Sequence, residues 1–134
     1  MSHMGLMDFV KAAKAEIREI GCAELEAMKN GRADLLILDV RESSEHEQGH
    51  LEGAMLVPRG ILEAAADAAY PKRVQTLVDA KNRPIAVYCA TGGRSAMAAS
   101  TLKKMGFCEV YSLAGGVAQW SAENRPLVTE ARYV

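Results

Sequence analysis

Apolar residues along this chain fall into short unbroken runs separated by longer stretches with helical spacing. The run Leu35-Leu36-Ile37-Leu38-Asp39-Val40 shows no alternation, which predicts a strand covered on both faces, as in a parallel sheet. Ala54-Met55-Leu56-Val57, stopped by Pro58, reads as a strand, as do Pro84-Ile85-Ala86-Val87-Tyr88 and Val110-Tyr111-Ser112-Leu113. Arg18-Glu19-Ile20 reads as a shorter one. Leu6 to Ile17 predicts a helix with Phe9, Val10, Ala13 and Ile17 along one side. Cys22 to Asn30 predicts another, with Leu25 and Met28 inward and Gly31 as its stop. Ser43 and Ser44 start a short helical turn through Gln48. The alanine-rich stretch Ile61 to Ala69, interrupted by Pro71, reads as a helix on the surface, and Val74 to Ala80 resumes helix. Ser95 to Met105, closed by Gly106, and Val117 to Ala122 complete the helices. Asn124 to Val134 reads as an extended tail.

Strands alternating with helices predict an α/β fold: a central, mainly parallel β-sheet of about five strands flanked by helices on both faces. In open sheets of this kind ligands bind beyond the carboxyl ends of the strands. Asp39 and Cys89 both fall at such ends.

Composition narrows the function. A chain of 134 residues fits one domain, 1–134, with Met1-Ser2-His3-Met4 as a cloning scar, 5–17 as an extra N-terminal helix and 18–122 as the core. The net charge of −1 gives no basic excess for nucleic acid. No apolar run approaches the roughly 20 residues of a membrane span, and the start shows no secretory pattern. The three cysteines, Cys22, Cys89 and Cys108, are odd in number and fit no zinc spacing. These features predict a cytoplasmic protein with reduced thiols and no metal. Cys22 and Cys108 lack a glycine-rich loop and a neighbouring cation, and read as packing residues.

Cys89 differs. It ends a strand and opens the run Cys89-Ala90-Thr91-Gly92-Gly93-Arg94-Ser95, ahead of a helix. A free thiol of pKa about 8.5 is mostly protonated at neutral pH. Backbone N–H groups converging on the sulfur, the positive end of the following helix, and the Arg94 cation would all favour the thiolate. Gly92 and Gly93 permit the backbone angles of such a nest. The small Ala90 leaves the sulfur accessible, and the Thr91 hydroxyl is placed to hydrogen-bond a substrate. The pattern suits a nucleophile that meets an anionic substrate.

The residues Leu38-Asp39-Val40-Arg41-Glu42, Gly49-His50-Leu51-Glu52-Gly53-Ala54, the Cys89 loop, and Leu113-Ala114-Gly115-Gly116 with Trp120 occur in this order over about Ile20 to Trp120. In these pieces the chain resembles single-domain rhodaneses of the sulfurtransferase family. The resemblance implies a parallel sheet between helices and a cysteine that carries sulfur as a persulfide. Cys89 would take sulfur from a small anionic donor such as thiosulfate and give it to a thiol, cyanide or protein-cysteine acceptor. No metal or organic cofactor is required. Arg94 would attract the donor and stabilise the departing group. Asp39 and Arg41 read as an ion pair supporting the loop, and Glu42 as a solvated carboxylate at a helix start. His50 matches the family's Gly-His pair and reads as structural rather than as a base. Gly115 and Gly116 read as a tight turn close to the loop, Trp120 as a core anchor, and His46 as a surface residue. A sulfur-carrier module working with a partner protein is the alternative. A phosphatase or arsenate reductase is disfavoured, because the cradle of cysteine-dependent phosphatases has one more residue between Cys and Arg, and because Tyr88 stands where their histidine would be.

Overall fold

The computed structural model describes residues 3–130; Met1, Ser2 and the end of the expected tail, 131–134, lie outside the described residues. Five strands form one sheet: β1 (Arg18–Ile20), β2 (Leu36–Asp39), β3 (Met55–Leu56), β4 (Pro84–Tyr88) and β5 (Glu109–Leu113). Their order is β1-β5-β4-β2-β3 and every pairing is parallel. The helices are α1 (Leu6–Glu16), α2 (Cys22–Gly31), α3 (Ser43–Gln48), α4 (Leu62–Ala66), α5 (Gln75–Val78), α6 (Gly93–Lys104) and α7 (Gly116–Ala122), with a 3-10 turn at Arg59–Ile61.

The unbroken apolar strands are explained by the two cores they separate. Leu36, Leu38, Val40, Ile85, Val87 and Cys89 point to one face, against Leu62, Ala65 and Ala66 of α4, Leu77 of α5, and Ala98 and Leu102 of α6. Ile37, Ala86 and Tyr88 point to the other, with Cys22 and Leu25 of α2 and Trp120 of α7. Alternate residues of one strand thus serve different cores, and neither face is left for water. The Cys89 side chain lies on the α6 face, and the Tyr88 side chain on the α2–α7 face. Trp120 is buried in the second core, and its indole N–H donates to the Pro126 carbonyl at 2.9 Å.

Several local expectations need correction. Phe9 is 52% exposed; the buried residues of α1 are Val10 and Ala13, three residues apart, and Phe9 lies at the open edge of the groove between α1 and α6. The alanine-rich stretch is not a surface helix, since Leu62, Ala65 and Ala66 are buried and helix ends at Ala66. Cys108 is exposed rather than packed, because the adjacent Phe107 takes the core position. The stretch after Asn124 folds back, and Val128 forms an antiparallel bridge with His50. Among the described residues no helix is long and apolar enough to cross a membrane.

Candidate active site

Strand β4 delivers Cys89 to the carboxyl end of the sheet, and the chain then turns directly into α6. Gly92 is the N-cap of α6 at φ 108°, a conformation that glycine adopts without penalty. This turn brings the Gly92 N–H to 3.1 Å and the Ser95 N–H to 3.4 Å from Cys89 Sγ. Ser95 Oγ lies 3.5 Å from the same sulfur and 2.8 Å from Ser112 Oγ on β5. With the sulfur ionised, Ser95 donates to it and accepts from Ser112. Burial pushes the Cys89 thiol up, but hydrogen bonds from the Ser95 hydroxyl and from the N–H groups of Ser95, Gly92 and Thr91 outweigh it. The thiol therefore sits below its ordinary value.

The turn from β5 into α7 braces this loop from beneath. The Val117 N–H donates to the Cys89 carbonyl at 2.9 Å, and the Ala118 N–H to the Ala90 carbonyl at 3.0 Å. Gly115 and Gly116 both have positive φ, at 76° and 58°. A Cβ on Gly116 would stand 2.6 Å from backbone atoms of Cys89 and Ala90. Both glycines are thus required by their backbone angles, and Gly116 also by contact with the loop; a Cβ on Gly115 would instead meet the Gln119 side chain at 2.6 Å.

Arg94 belongs to the loop, but its guanidinium is engaged elsewhere. Its two terminal nitrogens donate to the two carboxylate oxygens of Glu45 on α3, at 2.8 and 2.9 Å. Glu45 also accepts the N–H of Glu42, and its pKa falls to about 2, chiefly through Arg94. The hydrogen bonds that lower the thiol come from backbone and serine groups.

The supporting residues separate by face. Asp39 ends β2 opposite Tyr88. Its buried carboxylate accepts from Arg41 Nε and Nη2, from the Arg41 N–H, from the Tyr88 hydroxyl at 3.0 Å, and from His46 Nδ1 at 2.8 Å. Burial pushes the Asp39 carboxyl up, but the hydrogen bonds from Arg41 and His46 and the Arg41 charge overcome it and hold it below the usual range. Arg41 also donates to the Gly49 carbonyl, and the Tyr88 hydroxyl accepts the Leu51 N–H. His46, expected on the surface, is 1% exposed. The short helix α3 turns it onto Asp39, and its ring stacks on His50 at 3.7 Å. His50 in turn donates from Nδ1 to the His46 carbonyl. This whole network lies on the Tyr88 side of the sheet, across from the thiol. It fixes the end of β4 without touching the sulfur.

Cys89 is 1% exposed, yet it lines a cavity of about 260 Å³. Thr91 and Gly93 share the floor, and Arg94 and Met97 form the α6 wall. The opposite wall is α1, through Leu6, Met7, Val10 and Lys14. Val10 packs against Gly93, whose Cβ would meet it at 3.4 Å. A larger cavity of about 440 Å³ lies at the amino end of the strands, lined by Leu36, Met55 and His50 among others, and contains none of the loop residues. Among the described residues no group of three or more His, Cys, Asp or Glu is placed to hold a metal.

Sequence reasoning found the Cys89 run, the Asp39–Arg41 pair and the glycine turn. It missed Ser112, Glu45, His46 and the α1 wall. Ser112 left a signal as a polar residue inside a strand run, and α1 left one in its amphipathic spacing.

Comparisons with known proteins agree with this geometry. The structure superposes on RPA3614 of Rhodopseudomonas palustris with a TM-score of 0.88 at 29% identity, over 96% of this chain and 97% of that one; RPA3614 is described as of unknown function and a possible tyrosine phosphatase. It superposes on the polysulfide-sulfur transferase homodimer of Wolinella succinogenes with a TM-score of 0.70 at 26% identity, over 92% of this chain and 86% of that one. MoeZ of Mycobacterium tuberculosis, named a probable adenylyltransferase/sulfurtransferase, is 31% identical over 119 residues, which are 89% of this chain and 28% of MoeZ. The chain thus spans less than two thirds of that relative's length. The rhodanese-like domain model matches residues 22–123, from the first residue of α2 to just past α7. A stretch that takes in all but one strand of the sheet, the thiol loop and the glycine turn that braces it places this chain in the rhodanese-like family.

Proposed function

We propose that the chain transfers sulfane sulfur through a persulfide on Cys89. The observation that carries this reading is the pair of N–H groups, from Gly92 and Ser95, that converge on one sulfur atom together with a serine hydroxyl. In the first half-reaction the Cys89 thiolate attacks the outer sulfur of a donor such as thiosulfate. An Sγ–S bond forms, the S–S bond of the donor breaks, and sulfite leaves with the electron pair. The outer sulfur remains as a persulfide anion, the species the loop amides are aimed to hold. In the second half-reaction an acceptor thiolate or cyanide attacks that sulfur and the Cys89 thiolate departs. This is covalent catalysis with ping-pong kinetics. The likeness to the polysulfide-sulfur transferase supports it.

A phosphatase reading draws on the description of RPA3614. The loop argues against it here, since the guanidinium that would clamp a phosphate is held bidentately by Glu45. A sulfur-carrier role would use the same persulfide and differ only in turnover of small donors. The test is thiocyanate formation from thiosulfate and cyanide, with intact mass after donor exposure. Added sulfur on the native protein and none on Cys89→Ser is the expected result. Equal rates in the two proteins, or aryl phosphate hydrolysis dependent on Cys89, would overturn it.

A further inference from the structure

The cavity over Cys89 has a wall that the family match does not include. The matched residues begin at 22, and α1 lies before them. From α1 come three apolar side chains, Leu6, Met7 and Val10, and α6 adds Met97. Leu6 and Met7 are 67% and 68% exposed, so two large apolar side chains stand in water at the mouth of a cavity that holds the reactive sulfur. An apolar rim at the mouth of a cavity with a polar floor is the pattern of a ligand site.

The charges of the cavity point the same way. Among the described residues two cations line it, Lys14 and Arg94, and both are engaged. Arg94 is bidentate with Glu45, and Lys14 Nζ lies 3.6 Å from Glu19 Oε2. A dianion entering here would have to compete with two carboxylates for them. An apolar carrier meets walls that gain by being covered.

We propose that this site takes sulfane sulfur from donors whose sulfur is borne on an apolar organic group, with the α1 residues Leu6, Met7 and Val10 as the specificity-determining wall. The proposal rests on Cys89 carrying the persulfide. Two donors with the same reacting atoms separate the possibilities: thiosulfate, whose leaving group is sulfite, and benzenethiosulfonate, whose leaving group is benzenesulfinate. In each the Cys89 thiolate forms an Sγ–S bond to the terminal sulfur, the bond from that sulfur to the oxidised sulfur breaks, and the electron pair leaves with the sulfite or sulfinate.

The experiment measures kcat/KM for both donors with cyanide as acceptor, in the native protein and in Leu6→Lys and Met7→Lys. Both positions are exposed, and lysine is a good helix former, so the fold tolerates the changes. The expected result is a preference for benzenethiosulfonate in the native protein that falls about tenfold in the lysine variants, with thiosulfate gaining. Intact mass after each donor reads the persulfide itself. If Cys89 gains sulfur but the donor ratio is the same in all three proteins, or if the native protein favours thiosulfate, the α1 wall does not set specificity. If the folded protein takes sulfur from neither donor, the persulfide reading falls, and the specificity proposal falls with it.

Discussion

Gly116 lies directly against the backbone of Cys89: a Cβ on this glycine would stand 2.6 Å from the cysteine's carbonyl oxygen. The thiol loop is therefore held by a second turn that has no room for any side chain. Gly116→Ala must displace backbone, which does not yield as a flexible side chain would. It also places alanine at φ 58°. Strain and overpacking together are expected to cost about 2 kcal/mol or more in urea unfolding. Gly106→Ala is the control: its φ is 99° but nothing lies within 4 Å, so it carries the conformational cost alone. A Gly116 variant as stable as the Gly106 variant would show that the two turns do not bear on each other.

Ser95 contributes both an N–H and a hydroxyl to the sulfur. Ser95→Ala keeps the first and removes the second. The Cys89 thiol is then expected to titrate at higher pH, as read from the pH dependence of alkylation by iodoacetamide. Ser112→Ala is expected to move it the same way by less, since Ser112 acts on the sulfur only through Ser95. An unchanged profile in Ser95→Ala would leave the backbone N–H groups as the sole cause of the lowered thiol.

Elements whose signal is contiguous were legible in the sequence. The inner strands β2 and β4 declared themselves by unbroken apolar runs, because parallel strands between helix layers have no wet face. The Cys89 loop declared itself because nucleophile, glycines and helix start are consecutive. Partners brought together by the fold did not. Glu45 and Arg94 are 49 residues apart, and Ser95 and Ser112 are 17 apart. His46 looked like a surface residue because nothing local shows that α3 turns it onto Asp39. The amphipathic face of the first helix showed that it packs somewhere; only the fold shows that its neighbour is the thiol loop.

The Arg94–Glu45 pair gives a pH dependence with a definite sign. The Glu45 carboxyl is depressed to about 2 in the folded chain, against about 4.3 for free glutamate. Its contribution to stability is therefore fully present above the unfolded value and is lost as pH falls from about 4.3 toward about 2. Because the pair is about a third exposed, that contribution is expected to be about 1 kcal/mol or less. Glu45→Gln should lower stability in urea at pH 7, and its gap from the native protein should narrow progressively between about pH 4.3 and about pH 2. It should also release Arg94 and raise kcat/KM for thiosulfate several-fold. A drop in thiosulfate turnover would mean that Arg94 must be held by Glu45 to serve the reaction.

Asp39 tests the separation of support from chemistry. Its carboxylate accepts from Arg41, His46 and Tyr88 in a buried site, and the described residues contain no buried side-chain nitrogen or oxygen without a partner. Asp39→Asn keeps the shape but leaves the Arg41 cation without its counter-charge in the interior. Breaking a buried pair on one side is expected to cost about 3–5 kcal/mol, measured by urea unfolding at pH 7. The lowered Asp39 carboxyl gives this contribution the same sign as that of Glu45: present above the unfolded value near 3.9, and lost as pH falls through the lower folded value. Since the network lies across the sheet from the sulfur, the alkylation profile of Cys89 in the folded variant should match that of the native protein. A shifted profile at full folding would show that the two faces communicate through β4.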